Sequence, residues 1–440
     1  MSAGAALDSP PAAARPLTFW MAVALVMGNM IGSGIFLLPA SLAQFGGVSL
    51  IGWVVSAGGA LLLAAVFARL SRLAPDAGGP YAYTRHAFGD LPAFLIAWGY
   101  WISVWTGLGA LAVALVGYLA AFVPQLAQLR LASASAALAA VWILVAVNIA
   151  GLRAAGWVQV VTTVLKLLPL AGISVLGLLH FEPAHFAIPD SGVRALAGAV
   201  PATAALTLWA FLGLESATIP AGSIRNPEVT IPRATLLGTA CAAVLYLAST
   251  VAVMSLLPPQ ALGASTAPYA DAARLAGGHW ASRAVAAGAA ISCFGALNGW
   301  ILVVGQLPLA VARDGLFPRI FARTTSRGTP AAAMIIGGVL TTVMVCLNYT
   351  RSLVELFTFF LLLSTLNTLV PYVFSSMAVF VLPNRAGGRP FSAAAKLGAL
   401  LAFAYSLWAM AGAGADTVYW GFLLLMAGLP VYVFLVKTRD

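Results

Sequence analysis

A chain of 440 residues that is 62% hydrophobic and only 8% charged lacks the polar groups to cover a water-facing surface, which excludes a soluble fold. Its formal charge of +10 reads as a positive-inside bias facing anionic lipid, with nothing that points to nucleic acid. The three cysteines, Cys241, Cys293 and Cys346, fall within apolar stretches, whereas a disulfide framework would need external pairs.

Residues 1–15, rich in Ala, Pro and Ser, read as a disordered tail. The apolar run behind them has full spanning length, unlike a cleavable signal. From Pro16 to Ala68 there is no Asp, Glu, Lys or Arg. Crossing the hydrocarbon takes roughly 20 apolar residues, so this stretch holds two spans, divided at Gln44-Phe45-Gly46-Gly47. Further uncharged stretches run Leu91–Leu129, Leu131–Leu152, Ala234–Ala270, Ala284–Ala312, Gly328–Thr350, Leu356–Asn384, Leu397–Ala415 and Thr417–Val436. Two more are interrupted by a single charge, Ala154–Glu182 by Lys166 and Ala195–Ile224 by Glu215. The expectation is an all-α integral membrane protein of twelve transmembrane helices. Lipid requires internally bonded backbone, and the alternation of an outer-membrane barrel is missing. With the N-terminus inside, the outer loops hold only Arg130, Arg194, Arg274, Arg283 and Arg351. Both termini are therefore expected in the cytoplasm.

Two spans carry interruptions. Gly28-Asn29-Met30-Ile31-Gly32-Ser33-Gly34 places three glycines mid-span in the first. Trp209 to Ala217 places Gly213 beside polar residues in the sixth. Close packing of glycines is one reading; unwound segments are the favoured one. Interruptions five spans apart fit a LeuT-type 5+5 inverted repeat, with residues 16–182 as the first half, 195–384 as the second, and 393–440 holding the last two spans. In such a carrier the solute binds at mid-membrane, an anionic group facing half-helix N-termini and a cation facing freed carbonyls. An amino acid supplies both. Lys166 and Glu215 lie well inside spans, where ionisable groups are costly and usually line a functional cavity. A buried structural pair or a snorkelling side chain is the competing reading. The four histidines, His86, His180, His185 and His279, are scattered over loops. No metal site, cofactor or catalytic cluster is expected, and so no enzyme. The segments Pro75–Gly89 and Arg313–Pro330 look the most structured of the loops, with their individual charges solvated at the membrane surface.

GNMIGSGIFLLPA at 28–40, GGPYAYTRHAFG at 78–89 and LWAFLGLESA at 208–217 together resemble the amino acid–polyamine–organocation superfamily, as do Asn226-Pro227, IPRA at 231–234, DGLFP at 314–318 and GTP at 328–330. The likeness runs from about Thr18 to the last span and is strongest to the basic amino acid and polyamine antiporter branch, that of arginine/agmatine exchange. The resemblance implies that the amides of Ser33 and Gly34 hold a substrate carboxylate and that carbonyls of Met30, Trp209 and Leu212 take an α-amino group. It implies that Trp209 covers the substrate side chain, Trp300 forms a middle gate, and Ser364 belongs to the pocket. Tyr100, Tyr372 and Glu215 match gating positions, Glu215 with a pH response. The chain also departs from this branch. Leu108 stands where an amide contacts a guanidinium, Ala210 replaces a hydroxyl, and Ser103 and Val104 alter the same wall. Unmade hydrogen bonds in a buried site cost about 1–3 kcal/mol each. Lys166 is foreign to arginine/agmatine exchange but present in other superfamily members, where its ammonium resembles a substitute for a sodium ion; it is expected to tie the first span's break to the fifth span or to carry a coupling proton. The implied function is antiport of basic amino acids and polyamines. The alternative, favoured by Leu108, Ala210 and Lys166, is a proton-coupled permease or exporter of neutral amino acids. The implied partners are a small amino acid or amine, the bilayer of the inner (plasma) membrane, and a second copy in a homodimer.

Overall fold

The computed structural model describes residues 16–188, 193–265, 267–348, 353–385, 390–412 and 415–437. The 1–15 tail lies outside them. The described chain is nearly all helical, and its one β feature is a single bridge between Leu17 and Ile224. In chain order the helices are α1 Phe19–Met30, α2 Gly34–Leu42, α3 Val48–Leu73, α4 Pro80–Phe88, α5 Asp90–Leu119, α6 Gln125–Gln128, α7 Arg130–Ala150, α8 Leu152–Leu179 and α9 Val193–Leu208. After three short 3-10 turns between Trp209 and Ser223 follow α10 Pro227–Leu256, α11 Pro259–Ala264, α12 Pro268–Arg313, α13 Ala331–Asn348, α14 Leu353–Arg385, α15 Ala393–Gly412, α16 Ala415–Met426 and α17 Gly428–Lys437.

Among the described residues, eight helices are long and apolar enough to cross a membrane, and shorter apolar helices include Phe19–Met30, Ala331–Leu347 and Gly421–Leu435. This is a multi-pass membrane protein. Three boundaries differ from the apolar stretches. α12 starts at Pro268, ahead of Ala284, and changes course at Gly278, whose φ of 72 breaks the helical path. The sixth stretch stops being α-helical at Leu208. The last is divided at Ala427 into α16 and α17. Hydropathy reports burial in lipid, and backbone turns between apolar residues leave it unchanged.

The core is centred on α5, which packs on α12 and α14, while α8 packs on α12 and α10 on α3. α8 shows how a span sorts its faces. Val161, Val164, Leu165 and Leu168 point outward, whereas Gln159, Thr162, Thr163, Lys166 and Leu170 are buried. The buried set recurs every three or four residues, one face of a helix.

The membrane face that carries α4 is closely packed. Gly78 N–H donates to Ile219 O at 2.9 Å. A Cβ on Gly79, whose φ is 53, would lie 2.2 Å from Thr218 Oγ1, so only glycine lets these segments approach. Arg85 does not float in solvent as expected. Its guanidinium bridges Asp90 at 2.9 Å and Asp314 at 2.8 Å, and Tyr81 Oη donates to Asp314 at 2.8 Å. Burial, then the Asp314 charge, pushes the Tyr81 phenol above its usual range. His86 pairs with Asp76 at 2.9 Å, and this hydrogen bond holds the Asp76 carboxyl below its usual value.

Candidate functional site

The first break is short. α1 ends at Met30 and α2 begins at Gly34, with Ile31 at φ −80, ψ 79. In an unbroken helix Gly28 O would accept from Gly32 N–H. Here Gly32 N–H turns back to Met30 O at 2.9 Å. Lys166 Nζ from α8 supplies the missing donor, 2.9 Å from Gly28 O and 2.6 Å from Ile31 O. Ser292 Oγ of α12 donates to Ile31 O as well, at 2.8 Å. The ammonium is fully buried and still satisfied by carbonyl oxygens, which is the condition for keeping a charge out of water. Ser33 and Gly34 sit at the first turn of α2, where amides have no intrahelical acceptor and the helix dipole is positive.

The second break has its own chemistry. Trp209 to Phe211 tighten into a 3-10 turn, and Leu212 is extended. Gly213 follows at φ 106. A Cβ there would come within 3.1 Å of both Asn29 Cβ and Trp300 Cζ2. Gly213 therefore serves both conformation and contact. Two residues on, the buried Glu215 accepts hydrogen bonds from Tyr100 Oη of α5 and Tyr372 Oη of α14, one on each carboxyl oxygen. Asn29 Nδ2 donates to Ser216 Oγ at 2.8 Å, joining the two breaks directly. Lys166 and Glu215 form no ion pair with each other, so the reading of a buried structural pair does not describe them; Lys166 bonds to Gly28 O and Ile31 O, and Glu215 to Tyr100 and Tyr372.

A cavity opens between the breaks. Its volume is about 50 Å³, enough for a few waters. Met30, Ser33, Gly34, Ser103, Trp209, Leu212, Trp300 and Ser364 all line it. The Trp209 ring lies against Gly34, where a Cβ would meet Cδ1 at 2.7 Å. Trp300 makes an edge-on contact with Tyr100, ring centres 6.5 Å apart. Tyr100, Tyr372, Glu215 and Lys166 stand behind this lining, fully buried.

Leu108 is a correction. It is buried in the core and does not line the cavity; α5 turns Gly107 and Leu111 to it instead. Residues four apart share a helix face, and position 108 is about 100° away from 107. Ala210 is likewise buried off the lining, its carbonyl accepting from Tyr246 Oη at 2.9 Å.

Sequence reasoning placed Asn29 and Gly32 only in the first break and gave no role to Gly107, Leu111 or Thr368; all five also line the cavity. Thr368 lies one turn after Ser364 on α14, and that i, i+4 spacing was the available signal. Also unassigned was a buried chain of amides. Asn148 Nδ2 donates to Asn298 Oδ1 at 3.0 Å, Asn298 Nδ2 to Gln159 Oε1 at 3.0 Å, and Gln159 Nε2 to Ala24 O at 3.2 Å. It links α7, α12 and α8 to α1, just ahead of the first break.

The family profile of amino acid permeases matches residues 17–429. The chain is 35% identical over 374 residues to the cadaverine/lysine antiporter of Escherichia coli (strain K12), covering 82% of each chain. It is 30% identical over 411 residues to the putrescine transporter PotE of the same strain, covering 93% of each. These relatives are transporters, and the chain is not an enzyme. A match of this length, on a multi-pass helical protein with a cavity between two interrupted spans, means that the chain belongs to the amino acid permease family.

Proposed function

We propose that this protein is a secondary active antiporter of basic amino acids and polyamines that works by alternating access in the inner membrane. The observation that carries the reading is one cavity lined both by the start of α2, at Ser33 and Gly34, and by the indoles of Trp209 and Trp300. The helix start suits a carboxylate. Carbonyls at Met30, Trp209 and Leu212 suit an α-ammonium; those of Met30 and Trp209 each accept one backbone N–H and keep a second lone pair. The indole faces attract a cationic side chain by about 0.5–2 kcal/mol. The named activities of the relatives, cadaverine/lysine antiport and putrescine transport, support the same substrate class.

In this reading α1 with α2 make the first crossing, and α3, α5, α7 and α8 the next four. α9 with the turns to Ile224 makes the sixth, and α10, α12, α13, α14, α15 and α16 with α17 complete twelve. The first five, residues 16–182, and the second five, 195–384, form inverted halves around the site, and 393–440 lies outside the repeat. Both termini and α4 face the cytoplasm, and two copies pair as a homodimer. Trp300 separates the cavity from the Tyr100–Glu215–Tyr372 cluster as a gate. Reorientation then requires those hydrogen bonds to rearrange, and bound substrate lowers that barrier in an exchanger.

A second reading, a proton-coupled carrier of neutral amino acids, draws on the lack of any acidic side chain among the described residues that line the cavity. Counterflow into proteoliposomes separates the two. Arginine, lysine, ornithine and putrescine are compared with leucine, methionine and alanine at two pH values. Exchange of neutral substrates alone would refute the basic antiporter.

A further inference from the structure

The corner where α7 gives way to α8 gathers guanidiniums. Arg327, in the loop between α12 and α13, donates from Nη1 to Ala150 O at 2.8 Å, and Thr329 Oγ1 donates to Ile149 O at 3.1 Å. The loop therefore caps the C-terminus of α7, where a cation is favoured. Three residues beyond Ala150 stands Arg153, exposed in the first turn of α8. A cation in a first turn sits at the unfavourable end of the helix dipole, and the amides beside it lack intrahelical acceptors. Both features are relieved by an anion. Arg319 and Arg323, on the same loop as Arg327, are exposed as well. The loop lies on the α4 face, since Arg85 of α4 bridges Asp314 at its start.

These arginines have no carboxylate in their own segments. Residues 91–181 contain no Asp or Glu, and neither do residues 315–354. Of its five N–H donors, Arg327 uses one on Ala150 O. A guanidinium's planar fork matches two oxygens of a phosphate. A zwitterionic headgroup would bring an ammonium among arginines, with no acid to receive it.

The surface that leads to this corner is apolar. Trp157, one turn beyond Arg153, is 54% exposed, and the outward Val161, Val164 and Leu168 extend the same face of α8. α7 packs against both α8 and α13, and α13 turns Ile335, Val339 and Val343 outward. A small soluble anion would leave this surface uncovered. A phospholipid lays its acyl chains along it and brings its phosphate to the end of the span, with Trp157 at the interfacial level.

We infer that Arg153 and Arg327 form a binding site for an anionic phospholipid, whose acyl chains run along the outward face of α8. The site is separate from the solute cavity. Its place in the cytoplasmic leaflet follows from the orientation proposed above; the binding itself does not depend on which solute is carried.

The test titrates the purified full-length protein in detergent with phosphatidylglycerol or with phosphatidylethanolamine of the same acyl chains. The thermal unfolding midpoint is followed, because a ligand of the folded state raises it. Phosphatidylglycerol should act with at least about fivefold higher apparent affinity. Arg153→Gln and Arg327→Gln should each weaken it about fivefold and together about thirtyfold, with phosphatidylethanolamine unchanged. Each midpoint is compared with the same variant free of lipid, so the lost cap on α7 in Arg327→Gln is not counted as lost binding. If Arg327→Gln does not fold, Arg153→Gln decides alone. Arg72→Gln, at an exposed arginine at the end of α3, should leave the phosphatidylglycerol affinity as it is. Equal stabilisation by the two lipids overturns the site, as does equal weakening by Arg72→Gln, which would leave only a diffuse attraction of the basic face. Inorganic phosphate alone reproducing the full shift would also overturn it, in favour of a site for a free anion.

Discussion

The Lys166 ammonium lies 2.6 Å from the carbonyl oxygen of Ile31 and 2.9 Å from that of Gly28, so a side chain of α8 completes the backbone bonding that α1 gives up at its break. The unwinding at Ile31–Ser33 is thus held by a side chain from a different span. Glycine and serine in the local sequence permit it; the lysine stabilises it.

Replacing Lys166 by Met should therefore expose the cost. Gly28 O loses its charge-assisted donor, at about 1–3 kcal/mol, while Ile31 O keeps Ser292 Oγ at 2.8 Å. We expect a clear fall in the thermal unfolding midpoint in detergent and a loss of most exchange. Wild-type values for both in Lys166→Met would show that the tie is incidental.

Glu215 accepts from two tyrosine hydroxyls at once, which a carboxylate does with both oxygens. A carboxamide has one acceptor oxygen and would turn its NH₂ toward the other hydroxyl. Glu215→Gln should flatten the pH dependence of exchange because the position no longer titrates. The measurement is initial uptake across a pH series at fixed substrate gradient. A profile parallel to wild type removes Glu215 from the pH response.

Trp209 and Trp300 both line the cavity, the first against Gly34 and the second beside Gly213. Trp209→Ala and Trp300→Ala should each abolish exchange while the protein still inserts and purifies. Trp209→Phe keeps an aromatic face and should retain part of the uptake, since cation–π attraction is weaker on Phe than on Trp. Unchanged counterflow in both alanine variants would dismiss the proposed pocket.

Gly213 stands at φ 106, and a Cβ there would crowd Asn29 and Trp300, each at 3.1 Å. Gly213→Ala adds backbone strain of about 1–3 kcal/mol and pushes on the Trp300 ring. Lower stability together with lost exchange is expected, read by thermal unfolding and counterflow. Equal stability would mean that the turn re-forms with a different path.

On the α4 face, the hydrogen bond from His86 holds the Asp76 carboxyl below its usual value. A depressed acid stabilises the fold above its unfolded-state value and loses that contribution as pH falls through the lowered folded-state value. Asp76→Asn should therefore cause a small fall in the unfolding midpoint at neutral pH, and the difference from wild type should shrink on acidification. The effect is small because the pair is half exposed. A difference that grows toward acid pH would reverse the assignment.

Much of this protein can be read directly from its residues. Apolar runs of spanning length mark a membrane protein, since lipid burial depends on composition alone. The glycines around Asn29 and the Gly213 region mark the two interruptions, because a missing Cβ and a weakened helix are local properties. Resemblance added the identities of Trp209, Trp300 and Ser364. The orientation of neighbouring side chains was not legible in this way. Leu108 was expected on the cavity wall, yet Gly107 and Leu111 face it. Thr368 went unassigned although it touches Ser103. The partner of Lys166 was given only as the break in general.

What the amino-acid sequence determined by itself was which segments leave water and where their backbones give way, both consequences of residue chemistry acting along the chain. The tertiary structure decided the rest: that Lys166 meets Gly28 O and Ile31 O, that Glu215 stands between two tyrosines, and that Ser103 meets Thr368. Each residue along a helix turns the side chain by about 100°. Only packing against the other helices selects which of those directions faces the cavity.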